Sequence, residues 1–428
     1  MADLVVEGGI PINGRLTPSG SKNAILPMLC ATLLTDQEVT LKNVPDISDV
    51  EKILDCYKEL GASVEWHRDE QVITVRHDAD VIASRDPQLP LGIRSAVLLL
   101  APIIQRKGYL MFDTEAKGCA LGIRELDPHF DVLAAFGCSI STSQPREITL
   151  SGRPRAADIW AEYASVTATE TFLMMAVLAD GRSTLNNAAS EPHVQEFCQM
   201  LTAMGGNISG IGTSYLVVQG VDKLQGVAFD VPDDHHEVAT FLAIGGVSGG
   251  RIAVKTNVAK YMPLIIRQYR KLGLKIVVSD DEIVVDGWDR NVEMPLTPEL
   301  VPKIEAAPWP YYPADLLPQA IGIAVGCNSE IMFWNKVYEG ALSWSAELSK
   351  FGARVHLSDP HRLIVLGGSQ LRPATVEAPY IIRVVLGLFI AAIQIKGQST
   401  IRHADPIRRA HPLFVEKLQA MGCRVRWT

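Results

Sequence analysis

The sequence predicts an α/β protein of two domains, each built from three similar units. Three observations predict this fold: a helix–glycine–strand pattern that recurs six times, a further strand that follows it, and a strongly apolar helix in each unit. The glycines of the recurring pattern are Gly61, Gly137, Gly205, Gly273, Gly352 and Gly422.

The recurring pattern is exemplified by KELGASVEW (58–66) and QAMGCRVRW (419–427). Its glycine is expected to end the helix, because glycine adopts the left-handed conformation without steric cost. Soon afterwards the middle copies contain a second strand, such as EITLSG (147–152) or EIVVDG (282–287), which predicts a hairpin. A third strand lies upstream, as in VTLKNV (39–44). Each unit is therefore predicted as strand, helix, glycine stop, hairpin and a further helix.

The further helix of each unit is apolar on nearly every face, which predicts a buried helix. These helices are predicted over 23–34, 95–104, 171–179, 238–247, 316–326 and 384–393. A charged residue stands just before most of them: Lys22, Arg94, Glu170, Glu237, Asp315 and Arg383. Helix N-termini favour anions, so the cations at three equivalent places, 22, 94 and 383, predict a shared anion site.

Composition limits the class of protein. Of 428 residues, 47% are hydrophobic and 21% charged, enough apolar material for a large core. The net charge of −8 argues against nucleic-acid binding. The start has no signal-peptide features and no apolar run is long enough to span a bilayer, so we expect a soluble cytoplasmic protein without membrane or nucleic-acid partners. Seven cysteines without a CxxC pair predict neither a disulfide framework nor a metal site, and we expect no cofactor.

One cysteine differs from the others. Cys119 lies in KGCALGI, where the second unit is about seven residues longer than its counterparts, and long loops in compact units are usually functional. The neighbouring Lys117 and Arg124 would favour its thiolate. The alternative is an incidental cysteine on a surface loop. The remaining cysteines are predicted to be core residues: Cys30, Cys56, Cys138, Cys198, Cys327 and Cys423.

With these motifs in view, the sequence resembles the enolpyruvyl transferases, and most closely the branch that acts on UDP-N-acetylglucosamine. The resemblance covers essentially the whole chain and rests on GSKNAILP (20–27), GCALGIRELDPH (118–129), NNAASEP (186–192), YPADLLPQ and RRAHPLFVEKL (408–418). It implies a two-domain inside-out α/β barrel of six βαβαββ repeats. One domain would span 22–232, the other 1–21 plus 233–428, with the active site in the cleft between them.

The implied reaction is transfer of the enolpyruvyl group of phosphoenolpyruvate to the 3-hydroxyl of UDP-N-acetylglucosamine, in peptidoglycan precursor synthesis. Cys119 matches the proton donor and the target of fosfomycin-type epoxides. Asp315 matches the carboxylate beside the accepting hydroxyl, as base or orienting group, and Lys22 and Arg409 match cations that bind phosphoenolpyruvate. Implied substrate contacts are Asn23, Arg94, Arg124, Glu125, Leu126, Asp127, Pro128, His129, Tyr163, Ala164, Ser165, Val166, Glu191, Asp234, Val337, Glu339 and Arg383.

The sequence departs from the family pattern at Ser48, Leu98, Tyr163, Ala341 and Ile381, where members usually carry lysine, tryptophan, lysine, arginine and aspartate. These changes surround the implied catalytic residues and leave a second acceptor open, another uridine nucleotide or nucleotide sugar. A non-catalytic nucleotide-sugar-binding protein is a further alternative, although it would not need a proton donor. A Cys–His thiol hydrolase fits poorly, because no triad accompanies the cysteine.

Overall fold

The computed structural model describes residues 2–84, 89–90, 93–113, 125–297 and 299–428. The chain divides into two compact domains. Among the described residues, those of 20–113 and 125–232 belong to domain one, and those of 2–19 and 233–428 belong to domain two.

The described part of domain one contains three sheets. The first has the order β13-β3-β5-β4, the second β6-β8-β7 and the third β11-β12-β10-β9. Their strands are β3 (Val39–Lys42), β4 (Ser63–His67), β5 (Val72–Arg76), β6 (Tyr109–Phe112), β7 (Ser139–Ile140), β8 (Arg146–Thr149), β9 (Asp158–Trp160), β10 (Arg182–Asn186), β11 (Asn207–Ser209), β12 (Tyr215–Gln219) and β13 (Ala228–Asp230). Each four-stranded sheet has one parallel pair, β13 with β3 and β9 with β10, and is otherwise antiparallel.

Domain two also contains three sheets in its described residues, ordered β15-β16-β14-β2, β17-β18-β20-β19 and β21-β22-β1-β23. Their strands are β1 (Leu4–Gly8), β2 (Gly14–Leu16), β14 (Arg251–Lys255), β15 (Leu274–Val278), β16 (Glu282–Trp288), β17 (Lys303–Ala306), β18 (Ile331–Asn335), β19 (Arg354–Asp359), β20 (Arg362–Leu366), β21 (Thr375–Glu377), β22 (Gly397–Arg402) and β23 (Arg424–Trp427). The strand nearest the N-terminus, β1, lies between β22 and β23 and pairs antiparallel with both.

The described helices are distributed over both domains. In domain one they are α1 (Lys22–Thr32), α2 (Ser48–Glu59), α3 (Ala79–Ser84), α4 (Leu100–Lys107), α5 (Asp127–Ala135), α6 (Val166–Ala176) and α7 (Pro192–Ala203). In domain two they are α8 (His235–Val247), α9 (Pro263–Lys271), α10 (Leu317–Ala324), α11 (Ile382–Ile393) and α12 (Phe414–Ala420). Short 3₁₀ helices span Arg94–Leu99, Ala259–Tyr261, Ala314–Leu316, Ser343–Phe351 and Asp405–Arg409.

The apolar helices are buried as their composition predicts. Every residue of α8, α10 and α11 is buried, and α1 and α6 are buried from their third residue onward. Each domain has its own hydrophobic core, assembled around these helices. One difference from the prediction is local: the segment that precedes α4 starts as a 3₁₀ helix at Arg94 rather than as an α-helix.

The six predicted helix stops all adopt positive φ, between 85° and 100°. Five of them lead into the predicted antiparallel hairpins, β4–β5, β7–β8, β11–β12, β15–β16 and β19–β20. The sixth, Gly422, leads into β23, whose partner is β1 from the other end of the chain. At Gly273 a side chain is also excluded by space, because a Cβ would lie 1.6 Å from the carbonyl oxygen of Asp289.

The cysteines within the described ranges are all buried thiols, as predicted: Cys30, Cys56, Cys138, Cys198, Cys327 and Cys423. Among the described helices, none combines the length and the apolar composition that crossing a bilayer would require.

Candidate active site

In domain one, the first turn of α1 carries the predicted Lys22 and Asn23. Ser21 caps the helix by accepting a hydrogen bond from the backbone N–H of Ala24 (3.3 Å), which directs the chain so that Lys22 opens the helix. Lys22 Nζ lies 2.6 Å from Asp49 Oδ2, and the two side chains are only 14% and 4% exposed. Asp49 lies in the first turn of α2, where the positive end of the helix favours a carboxylate. Lys22 is thus held by a buried acid that sequence reasoning did not select.

Arg94, at the start of its 3₁₀ helix, reaches the segment that precedes α5. Its Nη2 donates to the carbonyl oxygen of Glu125 at 3.0 Å. Tyr163 belongs to the same electrostatic environment: burial and then the charge of Glu125 raise the pKa of its phenol, whereas Arg94 acts in the opposite direction. Tyr163 is therefore a neutral hydrogen-bonding group, 47% exposed.

His129 is a buried residue of α5 whose ring nitrogens both have partners inside the protein. Nδ1 lies 3.2 Å from the carbonyl oxygen of Leu126, and Nε2 lies 2.8 Å from the Thr167 hydroxyl at the start of α6. A carbonyl only accepts, so Nδ1 carries the proton and the Thr167 hydroxyl donates to Nε2. Burial and then the charge of Arg94 lower the pKa of His129 to about 4. His129 therefore joins the start of α5 to α6, while Asp127 and Pro128 open α5.

The segment Ala164, Ser165 and Val166 forms the entry to α6. Ser165 is its N-cap and accepts from the N–H of Ala168 at 3.4 Å. Glu191 is the N-cap residue of α7. Glu170, expected at the mouth of its helix, instead lies one turn inside α6 and is 1% exposed. Burial and then the charge of Glu191 raise its pKa well above the usual range, so Glu170 is a neutral core acid and does not face solvent.

In domain two, the predicted residues Asp315 and Arg383 lie close to each other. Asp315 lies in the 3₁₀ helix before α10, and Arg383 is the second residue of α11. Asp315 Oδ2 is 3.6 Å from Arg383 Nε, and the side chains are 30% and 11% exposed. On its other side Arg383 Nη1 lies 3.1 Å from Nε2 of His411, a buried residue that the sequence had not indicated.

Asp234 is the N-cap of α8 and is 1% exposed. Its Oδ1 accepts from the backbone N–H groups of His236 (2.8 Å) and Glu237 (3.4 Å) and from His236 Nδ1 (3.2 Å). Burial opposes its ionisation, but the hydrogen bond and charge of His236 and the charges of His411 and Arg383 lower the pKa of Asp234 well below its usual range. A permanently charged carboxylate therefore lies close to His411 and Arg383.

Asp234, His235 and His236 also place potential metal ligands within 4.8 Å of one another. Oδ1 of Asp234 is occupied by three N–H donors, and the helix N-terminus and the nearby Arg383 both repel a cation. We therefore interpret this cluster as a helix cap rather than a metal centre.

Two further predicted segments lie in domain two. The loop containing Val337 and Glu339 is shaped by the buried Asn335, whose Oδ1 accepts from the N–H groups of Val337 (2.9 Å) and Tyr338 (3.1 Å). Val337 and Glu339 are exposed on this loop. Arg409 is the last residue of the 3₁₀ helix Asp405–Arg409 and is half-buried.

The predicted Cys119 and Arg124 lie outside the described residues. Among the rest, the structure associates Arg94 with Glu125 and Tyr163, and Asp315 with Arg383 and Asp234. Sequence reasoning missed Asp49 and His411. A signal existed for His411, a polar residue in the apolar stretch that follows Arg409, but none distinguished Asp49 from the other acids in the sequence.

The fold and these residues define an α/β enzyme with cations and carboxylates at helix N-termini. The family model for EPSP synthase (3-phosphoshikimate 1-carboxyvinyltransferase) matches residues 6–418. The chain belongs to this family, the enolpyruvyl transferases, and the predicted family and enzyme class are confirmed.

Among curated relatives, the UDP-N-acetylglucosamine 1-carboxyvinyltransferase of Borreliella burgdorferi is 34% identical over 427 residues, covering 100% of this chain and 99% of the relative. That of Bradyrhizobium diazoefficiens is 34% identical over 425 residues, covering 99% and 97%. The solved enolpyruvyl transferase NikO from Streptomyces tendae superposes with a TM-score of 0.85 at 20% identity, covering 100% of this chain and 99% of NikO. EPSP synthase from Acinetobacter baumannii gives 0.76 at 15% identity, covering 100% of both chains. These structural likenesses concern the fold alone.

Proposed function

We propose that this enzyme transfers the enolpyruvyl group of phosphoenolpyruvate to the 3-hydroxyl of UDP-N-acetylglucosamine and releases phosphate, a step of peptidoglycan precursor synthesis. The observation that carries the proposal is the similarity, over essentially the full length of both chains, to relatives named for this activity. The reaction adds the hydroxyl oxygen to C2 of phosphoenolpyruvate and a proton to C3. Phosphate then leaves C2 as C3 loses a proton, which restores the double bond.

The domain-one residues suit the donor substrate. Phosphoenolpyruvate carries a phosphate and a carboxylate, which favour positively charged groups and helix N-termini. Lys22, anchored by Asp49 at the start of α1, and Arg94, bound to the Glu125 carbonyl, provide such groups. We assign to Arg124 the same role, and to Cys119 the proton that reaches C3.

The domain-two residues suit the acceptor hydroxyl and the charge of the donor. Asp315 has a partly exposed carboxylate held 3.6 Å from Arg383, so it can accept or orient a hydroxyl proton while Arg383 and Arg409 bind anionic oxygens. We assign a further group of residues to contacts with the nucleotide sugar: Asn23, the segments 125–129 and 163–166, Glu191, Asp234, Val337 and Glu339.

The finer architecture belongs to the same proposal. We propose six βαβαββ repeats arranged as an inside-out barrel, three per domain, supported by the six positive-φ glycines and the hairpins that follow five of them. A cytoplasmic location follows from the proposed substrates, which are cytoplasmic metabolites.

The test is phosphate release from phosphoenolpyruvate and UDP-N-acetylglucosamine, measured for the wild type, Cys119→Ser and Cys138→Ser. Cys138 is a buried core thiol and provides the matched control. We expect release by the wild type and Cys138→Ser, and a loss of at least about 100-fold in Cys119→Ser, the range in which proton-transfer groups contribute. No release by well-folded wild-type protein would refute the proposal.

A second acceptor is favoured by one observation. At position 163, where family members usually carry a lysine near the uridine diphosphate, stands a neutral tyrosine that is 47% exposed. A site with fewer positive charges for the diphosphate suits an acceptor with a shorter phosphate chain. Measuring kcat/KM for UDP-N-acetylglucosamine and for UMP at saturating phosphoenolpyruvate discriminates between the two acceptors, because the true acceptor gives the higher value.

A further inference from the structure

His411 lies against the guanidinium of Arg383 in the interior of domain two. It follows the 3₁₀ helix Asp405–Arg409, and its backbone N–H donates to the carbonyl of Ile407 at 2.8 Å. The residue is 1% exposed, and its Nε2 is 3.1 Å from Arg383 Nη1. The contact joins the segment after Arg409 to the N-terminus of α11.

The chemistry of the contact determines the tautomer of His411. A guanidinium has five N–H donors and no acceptor, so the ring nitrogen that faces it must be unprotonated. The proton of the neutral ring is therefore on Nδ1. Burial, reinforced by Arg383 and opposed by Asp234, lowers the pKa of His411 to about 3, so the ring is neutral at physiological pH.

Because the acceptor is neutral, it can orient the guanidinium of Arg383 without reducing its positive charge. A carboxylate at the position of His411 would orient the guanidinium but would also cancel most of its charge. Imidazole nitrogen orients it and leaves the positive charge available. Two carboxylates lie near Arg383. Asp315 Oδ2 is 3.6 Å from Nε, longer than a charge-assisted hydrogen bond, and Oδ1 of Asp234 accepts its hydrogen bonds from N–H groups of its own helix.

We propose that His411 is a positioning residue that holds Arg383 in the orientation that binds an anionic group of phosphoenolpyruvate, without neutralising it. The inference rests on the proposed function, since that function makes phosphoenolpyruvate the anion. Arg383 contacts the substrate, and His411 acts only through Arg383.

The experiment compares His411→Phe, which keeps a ring but removes the acceptor, with His411→Gln, which retains an amide oxygen near the position of Nε2. His77→Phe is the matched control, because His77 is another 1% exposed histidine, and its Nε2 lies 2.9 Å from the hydroxyl of Thr32 rather than beside a guanidinium. Steady-state kinetics give KM for each substrate. Calorimetry gives the affinity for phosphoenolpyruvate in a Cys119→Ser background, where turnover is suppressed.

We expect His411→Phe to raise KM for phosphoenolpyruvate by about 10-fold to 100-fold with kcat changed far less, because a hydrogen bond to a charged group that binds the ground state and the transition state alike is lost. His411→Gln should restore KM to within about threefold of the wild type, and KM for the acceptor should stay constant in all variants. The calorimetric affinity should fall in parallel with the rise in KM.

Two results overturn the inference. One is equal KM values for phosphoenolpyruvate in His411→Phe, His411→Gln and His77→Phe; the other is a loss confined to kcat. Absence of phosphate release by the wild type would refute the proposed function instead. In that case the calorimetric comparison of the His411 variants still decides the inference, since it needs binding of phosphoenolpyruvate and not turnover.

Discussion

His77 provides the sharpest stability prediction, because its surroundings in domain one determine its protonation. Its Nε2 lies 2.9 Å from Thr32 Oγ1, and that hydroxyl already donates its single proton to the carbonyl of Leu29 at 2.7 Å. Nε2 must therefore be the donor, and Nδ1 has no hydrogen-bond partner among the described residues. The ring packs against Tyr57 in a T-shaped arrangement, with centroids 4.8 Å apart. A second proton on His77 would be buried without an acceptor.

Burial and then the charge of Arg106 lower the pKa of His77 from 6.5 to about 3. Between these values the unfolded chain binds a proton that the folded domain does not, so stability rises with pH through this window and is lost on acidification. From pH 7 to pH 5, the histidine alone should remove about 2 kcal/mol from the unfolding free energy of domain one. His77→Phe keeps a ring of similar size and removes this contribution.

The assay is urea unfolding at pH 7 and at pH 5. Unfolding is monitored by hydrogen exchange of the peptide that contains α2, so that domain one is observed separately. Between pH 7 and pH 5 the unfolding free energy of the wild type should fall by about 2 kcal/mol more than that of His77→Phe. This holds whatever the difference in stability between the two proteins at pH 7. Identical pH dependence in the two proteins would show that His77 accepts a proton freely in the fold, and would refute the reasoning.

Two further predictions concern domain two. Lys417 Nζ is 2.7 Å from Glu237 Oε1, and Glu237 is 1% exposed, so Lys417→Met should lower the unfolding free energy at pH 7 by about 3 kcal/mol. Burial already raises the pKa of Glu237, and loss of the cation raises it further, so protonation of Glu237 should make the loss of unfolding free energy smaller at pH 5 than at pH 7. A loss that does not depend on pH would contradict this. Gly273→Ala should lower the unfolding free energy by about 3 kcal/mol or more, because the φ of Gly273 is 87° and a backbone oxygen occupies the Cβ position. Gly422 has a similar φ but open space around the Cβ position, so Gly422→Ala should lower it by about 1 kcal/mol in the same denaturation assay. Equal losses would exclude the steric argument.

Much of the fold could be predicted because it depends on local requirements of the chain. A helix that ends in a left-handed residue needs glycine, and all six glycines selected from the sequence have positive φ. A helix without a polar face must be buried, and α8, α10 and α11 are buried throughout. The placement of Glu170 was wrong by one turn, because composition does not define where a helix begins.

The candidate site was predicted less completely, because its geometry depends on contacts between distant segments. Lys22 was selected, but Asp49, its partner, is one of many acids in the sequence. His129 was selected as a substrate contact, but its hydrogen bonds to Leu126 and Thr167 could not be predicted from the sequence. That His411 faces Arg383 depends on how the segment after β22 packs against α11, and no local pattern encodes this.

The sequence by itself determined the family, the alternation of strands and buried helices, and the residue types available for chemistry, since periodicity, glycine positions and motifs are properties of neighbouring residues. Only the tertiary structure decided which of those residues are charged, oriented or already bonded within the protein. The physical reason is that burial and partner distance set both hydrogen bonding and pKa, and both arise when segments far apart in the chain pack together.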